Sequence, residues 1–183
     1  VARKTGELLL GVRTDRAERA QVAAYRQAGA DFLVLEPDAA GAEAMLEEGI
    51  GLVLTMGPDS GDTTLRLLGD LPLDAILVPA TDGALTIAGA LALRRLAALS
   101  RTPLLMEVSA QAGASHLHAL REAGVAGVIL EGKALERLPA LKEAVASLPP
   151  RGRRRREERA EVVLPASAVV APAEEDDEDD DFP

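Results

Sequence analysis

Two stretches of the sequence decide the fold: Tyr25-Arg-Gln-Ala-Gly-Ala-Asp-Phe-Leu-Val-Leu-Glu36 and Leu120-Arg-Glu-Ala-Gly-Val-Ala-Gly-Val-Ile-Leu-Glu131. Arg, Ala, Gly, Leu and Glu stand at the same places in both, and a weaker copy begins at Met45. Each stretch predicts the end of a helix, a glycine that stops it and a short turn into an apolar strand. This repeat indicates a chain built from successive units of helix and strand.

Six short apolar runs recur along the chain, and each is continuous rather than alternating with polar residues. Such a run is typical of a strand that is buried on both faces, as in a parallel sheet. Helical segments fill the intervals, which predicts right-handed crossovers between parallel neighbours. The sequence therefore predicts an α/β fold with a parallel sheet of six βα units. The predicted strands are Leu8–Val12, Phe32–Leu35, Gly51–Met56, Ala75–Val78, Leu104–Val108 and Gly127–Leu130.

Local signals mark where the helices begin and end. Asp15 and Glu18 have the spacing of a capping box and predict the start of the first helix, which Gly29 ends. Ser115 is the predicted cap of a later helix, and a long helix is predicted from about Leu85 to Leu99. Small residues are predicted to form the buried face of the first helix. They are Ala17, Ala20, Ala24 and Ala28.

The units Ala28–Glu36 and Ala123–Glu131 resemble those of (β/α)8 barrels, or TIM barrels. The runs Leu73–Val78 and Pro103–Val108, with the long helix between them, are similar to successive units of indole-glycerol-phosphate-synthase-like barrels. The resemblance covers about residues 7–148 and implies a fold rather than an activity. A complete barrel has eight units. Either two N-terminal units are missing from this chain, or six strands form an open sheet or an incomplete barrel.

Composition limits the kind of protein that this chain can be. Cysteine is absent, which excludes disulfides and thiolate metal sites and favours a cytoplasmic location. Aromatic residues make up 2% of the chain, so the core must consist of Leu, Val, Ile and Ala. No apolar run approaches the roughly 20 residues that span a bilayer, and we expect no membrane association.

The distribution of charge separates a domain from a tail. The formal net charge is −10, but residues 174–181 are all acidic, whereas residues 151–159 are rich in arginine. We expect a βα-repeat domain over residues 1–148 and a disordered charged tail over residues 149–183. The acidic block should mask the arginines, so we expect no nucleic-acid binding while the acidic tail is intact. A protein partner that docks on the charged tail is the alternative to a purely solubilising role.

Polar residues follow the predicted strands, at the edge where ligands meet a parallel sheet. The candidate catalytic residues are Glu36, Glu107, Glu131 and Lys133, and the candidate substrate-binding residues are Arg13, Ser109 and Ser115. Clustered carboxylates suit a hard cation such as Mg²⁺ or a general acid–base pair. The alternative is structural, because carboxylates at strand ends also cap helices and pair with arginine.

A phosphate site is a further alternative at this edge. Ser109–Ser115 is a loop of small residues that enters a helix, and helix N-termini bind phosphate. Glu131 would place a negative charge beside that phosphate, which argues against the site. The two histidines, His116 and His118, lie two residues apart, so a helix cannot present both to one zinc ion. We expect both to be solvated.

Two functional hypotheses of different kinds remain open. In the first, the domain is a non-catalytic, degenerate binding or scaffold protein, which predicts scattered strand-end residues and no pocket. In the second, it is a barrel-derived lyase, isomerase or synthase for a small anionic metabolite, phosphorylated metabolites included. The second predicts a concave site where Glu36 and Glu131 converge with Arg13 or Lys133. The lack of a complete catalytic motif favours the first, and unpaired sheet edges also favour a homo-oligomer.

Overall fold

The computed structural model describes residues 9–80, 84–109 and 111–149. They form the strands β1 Gly11–Thr14, β2 Phe32–Leu35, β3 Gly51–Thr55, β4 Ala75–Val78, β5 Leu104–Val108 and β6 Val125–Leu130. The α-helices are α1 Arg19–Gln27, α2 Asp62–Leu68, α3 Ile87–Ser100, α4 Ala114–Glu122 and α5 Leu138–Ala146, with 3₁₀ helices at Ala42–Leu46 and Gly132–Arg137. No α-helix of this part of the chain has the length and hydropathy that a bilayer crossing requires. The predicted tail from residue 150 onward lies outside the described residues, and the domain boundary stays a prediction.

The six strands form one sheet in the order of the sequence, and every neighbouring pair is parallel. A helical segment connects each strand to the next, which confirms the predicted α/β fold of six βα units. Between β2 and β3 that segment is the 3₁₀ helix Ala42–Leu46 rather than an α-helix. Within the described residues β1 and β6 each pair on one side only, so the sheet is open. The architecture is a partial TIM barrel, as the resemblance implied.

The larger part of the core lies between the sheet and the helices that cover its outer face. Its fully buried members include Ile76 of β4, Leu104 of β5, Leu96 of α3 and Leu120 of α4. Burying a leucine or isoleucine side chain contributes about 1.5–3 kcal/mol. This aliphatic layer is what the near absence of aromatic residues predicted.

The inner face of the sheet carries a smaller apolar cluster. Val34, Val53, Ala75 and Leu77 are buried there and pack against one another. Side chains alternate between the two faces of a strand, so these residues point away from the helices. The sheet thus has apolar contacts on both faces, which explains why its central strands are continuous apolar runs.

Gly11, the first residue of β1, lies directly against Phe32 of β2. The two residues lie opposite each other in the β1–β2 ladder, and a Cβ atom on Gly11 would lie 2.1 Å from the Phe32 ring. The predicted strand Leu8–Val12 is therefore wrong at both ends, since β1 covers Gly11–Thr14. Leu9 precedes the ladder and is 74% exposed. Pairing with β2, rather than apolar character, sets the limits of this edge strand.

The repeated stretch ends its helices as predicted. At the end of α1, the Gly29 amide donates to the carbonyl of Arg26 at 2.9 Å and the Ala30 amide donates to the carbonyl of Tyr25 at 3.0 Å. These two bonds form a Schellman motif. Gly29 has φ of 95°, and Gly124 ends α4 in the same left-handed region with φ of 103°. Glycine adopts this conformation without the penalty that a Cβ atom brings.

Two aspartates connect neighbouring strands at the amino end of the sheet, and the first of them belongs to the repeated stretch. Asp31, just before β2, accepts a hydrogen bond from the Leu10 amide at 2.9 Å. Asp74, just before β4, accepts one from the Leu52 amide at 2.8 Å. The second copy of the stretch has Ala126 at this place, and there the register between β5 and β6 shifts by a bulge.

Two predicted helix caps are wrong. The N-cap of α1 is Glu18, whose amide donates to Gln21 Oε1 at 3.1 Å, so the capping pair lies three residues later than the predicted one. Asp15 instead lies in the turn after β1, because that strand extends further than predicted. The N-cap of α4 is Gly113, and Ser115 is the second residue of the helix.

Candidate functional site

The inner face of the sheet becomes polar at the carboxyl ends of its strands. Arg13 lies in β1, Glu107 lies in β5, and Glu36 directly follows β2. Residues two apart on a strand share a face. Glu36 therefore lies on the face of Val34, and Glu107 lies on the face of Leu105, which is the inner face in both cases. Three charged side chains thus project into the same concave surface.

Arg13 joins the two glutamates. Its Nη2 atom is 2.9 Å from Glu36 Oε1, and its Nη1 atom is 3.3 Å from Glu107 Oε1. The hydrogen bond to Glu36 raises the pKa of Arg13 further above its ordinary value; burial opposes this, and the charges of both glutamates add to it. The three side chains are 52%, 30% and 35% exposed, so solvent screens the pairs, and each contributes about 0–1 kcal/mol to stability.

The two glutamates differ in how fully their oxygens are engaged. Glu36 Oε1 accepts hydrogen bonds from both Arg13 and the Thr55 hydroxyl, the latter at 3.0 Å. Glu107 Oε1 accepts from Arg13, and its Oε2 accepts a longer bond of 3.4 Å from the Ala80 amide. Both glutamates therefore orient Arg13, and the carboxylate of Glu107, although it is engaged at both oxygens, keeps lone pairs that can accept a hydrogen bond from a ligand.

Glu107 opens onto a cleft of about 850 Å³ at the carboxyl ends of β5 and β6. Among the residues that the structure describes, its polar lining consists of Arg13, Glu107, Ser109, Gln111, His116 and Glu131. Apolar residues, among them Leu85, Met106 and Ile129, line much of the rest. A cleft of this size, with apolar walls and a few convergent polar groups, is typical of small-molecule sites.

The cleft contains four of the seven predicted site residues. They are Arg13, Glu107, Ser109 and Glu131. Glu36 is connected to the cleft through Arg13 and does not line it. Lys133 forms an ion pair of 3.2 Å with Glu131, and both side chains are mostly exposed. Ser115 is exposed in the first turn of α4 and lies outside the lining.

Two lining residues were missed from the sequence, His116 and Gln111. Both histidines are half-buried instead of fully solvated, and His118 lies 3.8 Å from Glu122 as an i, i+4 neighbour. The position of His116 in the sequence, rather than its residue type, could have identified it as a lining residue. His116 is the third residue of a helix that follows a strand's carboxyl end, where first-turn side chains face a ligand site.

The arrangement of side chains and amides around the cleft can be compared with the two ligands that the sequence suggested, Mg²⁺ and phosphate. The described residues contain no group of three or more His, Asp or Glu side chains that could hold a metal ion, and Mg²⁺ binding stays a prediction. The N-terminus of α4 lines the cleft, and its glycine N-cap offers the first amides no side-chain acceptor. Such amides attract anions, although Glu131 on the same cleft would repel a phosphate dianion.

Neither a protein family nor a curated protein matches the sequence. Solved structures do match. The tryptophan synthase alpha subunit of the hyperthermophile Pyrococcus furiosus gives a TM-score of 0.58 at 20% identity, over 78% of this chain and 63% of that chain. A variant of that subunit gives 0.53 at 22% identity, over 71% and 59%. The tryptophan synthase complex of the same organism gives 0.51 at 21% identity, over 70% and 54%.

Identities of this size show the fold alone. The chain spans less than two thirds of the length of these solved chains. Its six parallel strands follow one another in sequence order, as strands do in a TIM barrel. Over these units the chain is similar in fold to the tryptophan synthase alpha subunit, a TIM-barrel enzyme.

Proposed function

We propose that the domain is a barrel-derived enzyme of the lyase, isomerase or synthase type, which binds a small anionic metabolite in the cleft and uses Glu107 as its general acid–base. The observation that carries the proposal is the position of Glu107. Its carboxylate is held by Arg13 and the Ala80 amide, and it lines a cleft of about 850 Å³. A scaffold without a site was expected to have scattered strand-end residues and no pocket.

Each part of the cleft supports a separate role. A carboxylate fixed on one side by an arginine can accept a proton from a bound ligand and return it. The first amides of α4, beginning after Gly113, offer donors for the ligand's anionic group. The apolar side chains of Met106 and Ile129 exclude water from part of the cleft, which strengthens electrostatic contacts inside it.

Proton abstraction can be tested without knowing the natural substrate. The full chain is incubated in D₂O with a panel of 2-oxo acids and phosphorylated keto sugars, whose C–H bonds beside the carbonyl are acidic. We expect the chain to catalyse exchange of one of these protons for deuterium, which is seen as loss of its signal in ¹H NMR spectra. Glu107→Gln should abolish the exchange, because the amide cannot take up the proton. Glu143→Gln, on the exposed face of α5, should leave it unchanged.

Binding is measured beside exchange so that the two parts of the proposal separate. A ligand that binds the folded state should raise the melting temperature by mass action. Stabilisation without exchange would remove the catalytic role and leave a binding domain. Neither stabilisation nor exchange, across the whole panel, would favour the scaffold hypothesis instead.

A further inference from the structure

The repeated stretch ends in a glutamate in both copies, and the two glutamates have different partners. Glu36 follows β2 and accepts hydrogen bonds from Arg13 and Thr55. Glu131 follows β6, and in the described part of the chain its carboxylate pairs with Lys133 alone, at 3.2 Å. Both members of this second pair are mostly exposed, so water screens the attraction between them. The fold therefore uses the charge of Glu36, whereas the charge of Glu131 can act on a ligand.

The position of Glu131 places it beside the other free carboxylate of the cleft. Glu131 lies two residues beyond Ile129, which packs on the inner face of the sheet, and residues two apart share a face. Ile129 is also the partner of Glu107 in the ladder between β5 and β6. The two glutamates therefore lie on neighbouring strands and border the same cleft.

The charges around the cleft favour a ligand that carries a single negative charge. Arg13 is the one arginine or lysine among the described lining residues, and Glu36 and Glu107 both pair with it. The N-terminus of α4 adds a partial positive charge of about half an elementary unit. Its amides can match one charge of a ligand, but a second charge would face Glu107 and Glu131 without a counterion.

We propose that the cleft accepts monocarboxylates and rejects phosphate monoesters, and that Glu131 sets this preference through its charge. A phosphate monoester carries about two negative charges near pH 8, because its second pKa is about 6, whereas a carboxylate carries one. The inference rests on the proposed function, in which the ligand's anionic group lies at the first amides of α4. It narrows the small anionic metabolites of that proposal to 2-oxo acids.

The size of the expected effect follows from the number of charges on the ligand. A unit charge about 7 Å away across water changes the affinity about threefold for each charge that the ligand carries. Removing the charge of Glu131 should therefore lower the Kd of a monoanion about threefold and that of a dianion about ninefold, which is the square of that factor. Lys133→Gln should raise both Kd values, because it leaves the charge of Glu131 without its partner.

The test compares 2-oxobutyrate, a monoanion, with dihydroxyacetone phosphate, a dianion at about pH 8. Titration calorimetry gives the Kd of each probe at about 10 mM ionic strength, where the Debye length is about 30 Å. The proteins are the full chain and its variants Glu131→Gln, Lys133→Gln and Glu136→Gln. Glu136 is exposed in the 3₁₀ helix that follows Glu131 and lies outside the lining, so the last variant removes the same charge away from the cleft.

We expect the full chain to bind 2-oxobutyrate at least about tenfold more tightly than dihydroxyacetone phosphate, and Glu131→Gln to reduce that difference about threefold. Glu136→Gln should change either Kd by less than about twofold. Equal effects of Glu131→Gln on the two probes, a full chain that prefers the phosphate ester, or no binding of either probe would overturn the inference. Selective binding without proton exchange would remove only the proposed catalysis. Exchange of the ester's protons without selectivity would remove only this inference.

Discussion

Replacing Gly124 by alanine should destabilise the domain by about 2–5 kcal/mol. Gly124 has φ of 103°, where an L residue costs about 1–2 kcal/mol. The new Cβ atom would also lie 2.8 Å from the Cβ atom of Ala97 on α3. Overpacking of this kind costs about 1–3 kcal/mol more.

Gly49 separates the two contributions. It has φ of 79°, but a Cβ atom there would meet only the Arg26 side chain, at 3.5 Å and beyond. Gly49→Ala should therefore cost only the backbone term of about 1–2 kcal/mol. Adding Ala97→Gly to Gly124→Ala should remove the overlap and give a favourable coupling of about 1–3 kcal/mol in a double-mutant cycle.

The assay is urea unfolding followed by far-ultraviolet circular dichroism, with the m-value checked for each variant. Equal losses at the two glycines, together with no coupling between positions 97 and 124, would refute the close approach of α3 to the turn after α4. Glycine would then be required at position 124 only because of the positive φ angle there.

Three further predictions concern the core, the arginine and the tail. Leu96 is fully buried, and Leu96→Ala should cost about 2–5 kcal/mol in the same urea assay. Leu91 is 63% exposed, and Leu91→Ala should change stability by less than about 0.5 kcal/mol. Similar losses for the two variants would contradict the burial of the Leu96 face of α3. Because the pKa of Arg13 is raised, its contribution is present below its unfolded pKa and is lost only as pH rises through the folded one. The stability difference between the parent and Arg13→Met should stay constant from about pH 7 to about pH 10. A decline over that range would contradict the upward shift of the Arg13 pKa. Deleting residues 174–183 should give salt-sensitive heparin binding that the full chain lacks, and equally weak binding by both proteins would exclude masking of the arginines.

Three of the four central strands could be predicted from the sequence to the residue, and the fourth, β3, ends at Thr55 instead of the predicted Met56. β2, β4 and β5 have the predicted limits, because residues buried on both faces leave an uninterrupted apolar run. The limits of β1 and β6 differ from the prediction. At an edge, pairing with a single neighbour and the bulge beside Ala126 decide the length, and neither is visible as an apolar pattern.

The buried face of α1 was predicted wrongly. Ala20 and Ala24 are exposed, whereas Val22 is fully buried and Tyr25 packs beside it. Alanine buries little apolar area, so a row of alanines does not determine how a helix is oriented. The larger side chains do, and they were a better guide than the spacing of small ones.

The location of the candidate site could be predicted from the sequence, but the ion pairs within it could not. Polar residues at strand ends indicated the carboxyl edge of the sheet, where the cleft lies. The sequence gives no sign that Arg13 bridges Glu36 and Glu107, because this contact depends on the curvature that brings β1 opposite β5. Curvature is a property of the whole sheet rather than of any local pattern.

The most direct test of the account is a map of amide chemical-shift changes when the full chain, labelled with ¹⁵N, is titrated with the panel compound that raises its melting temperature most. If the cleft at the carboxyl ends of β5 and β6 is the binding site, the largest changes should cluster at Arg13, Gln111–His116 and Glu131. Changes centred instead on the outer faces of α2 and α3, with these residues unmoved, would contradict the central claim.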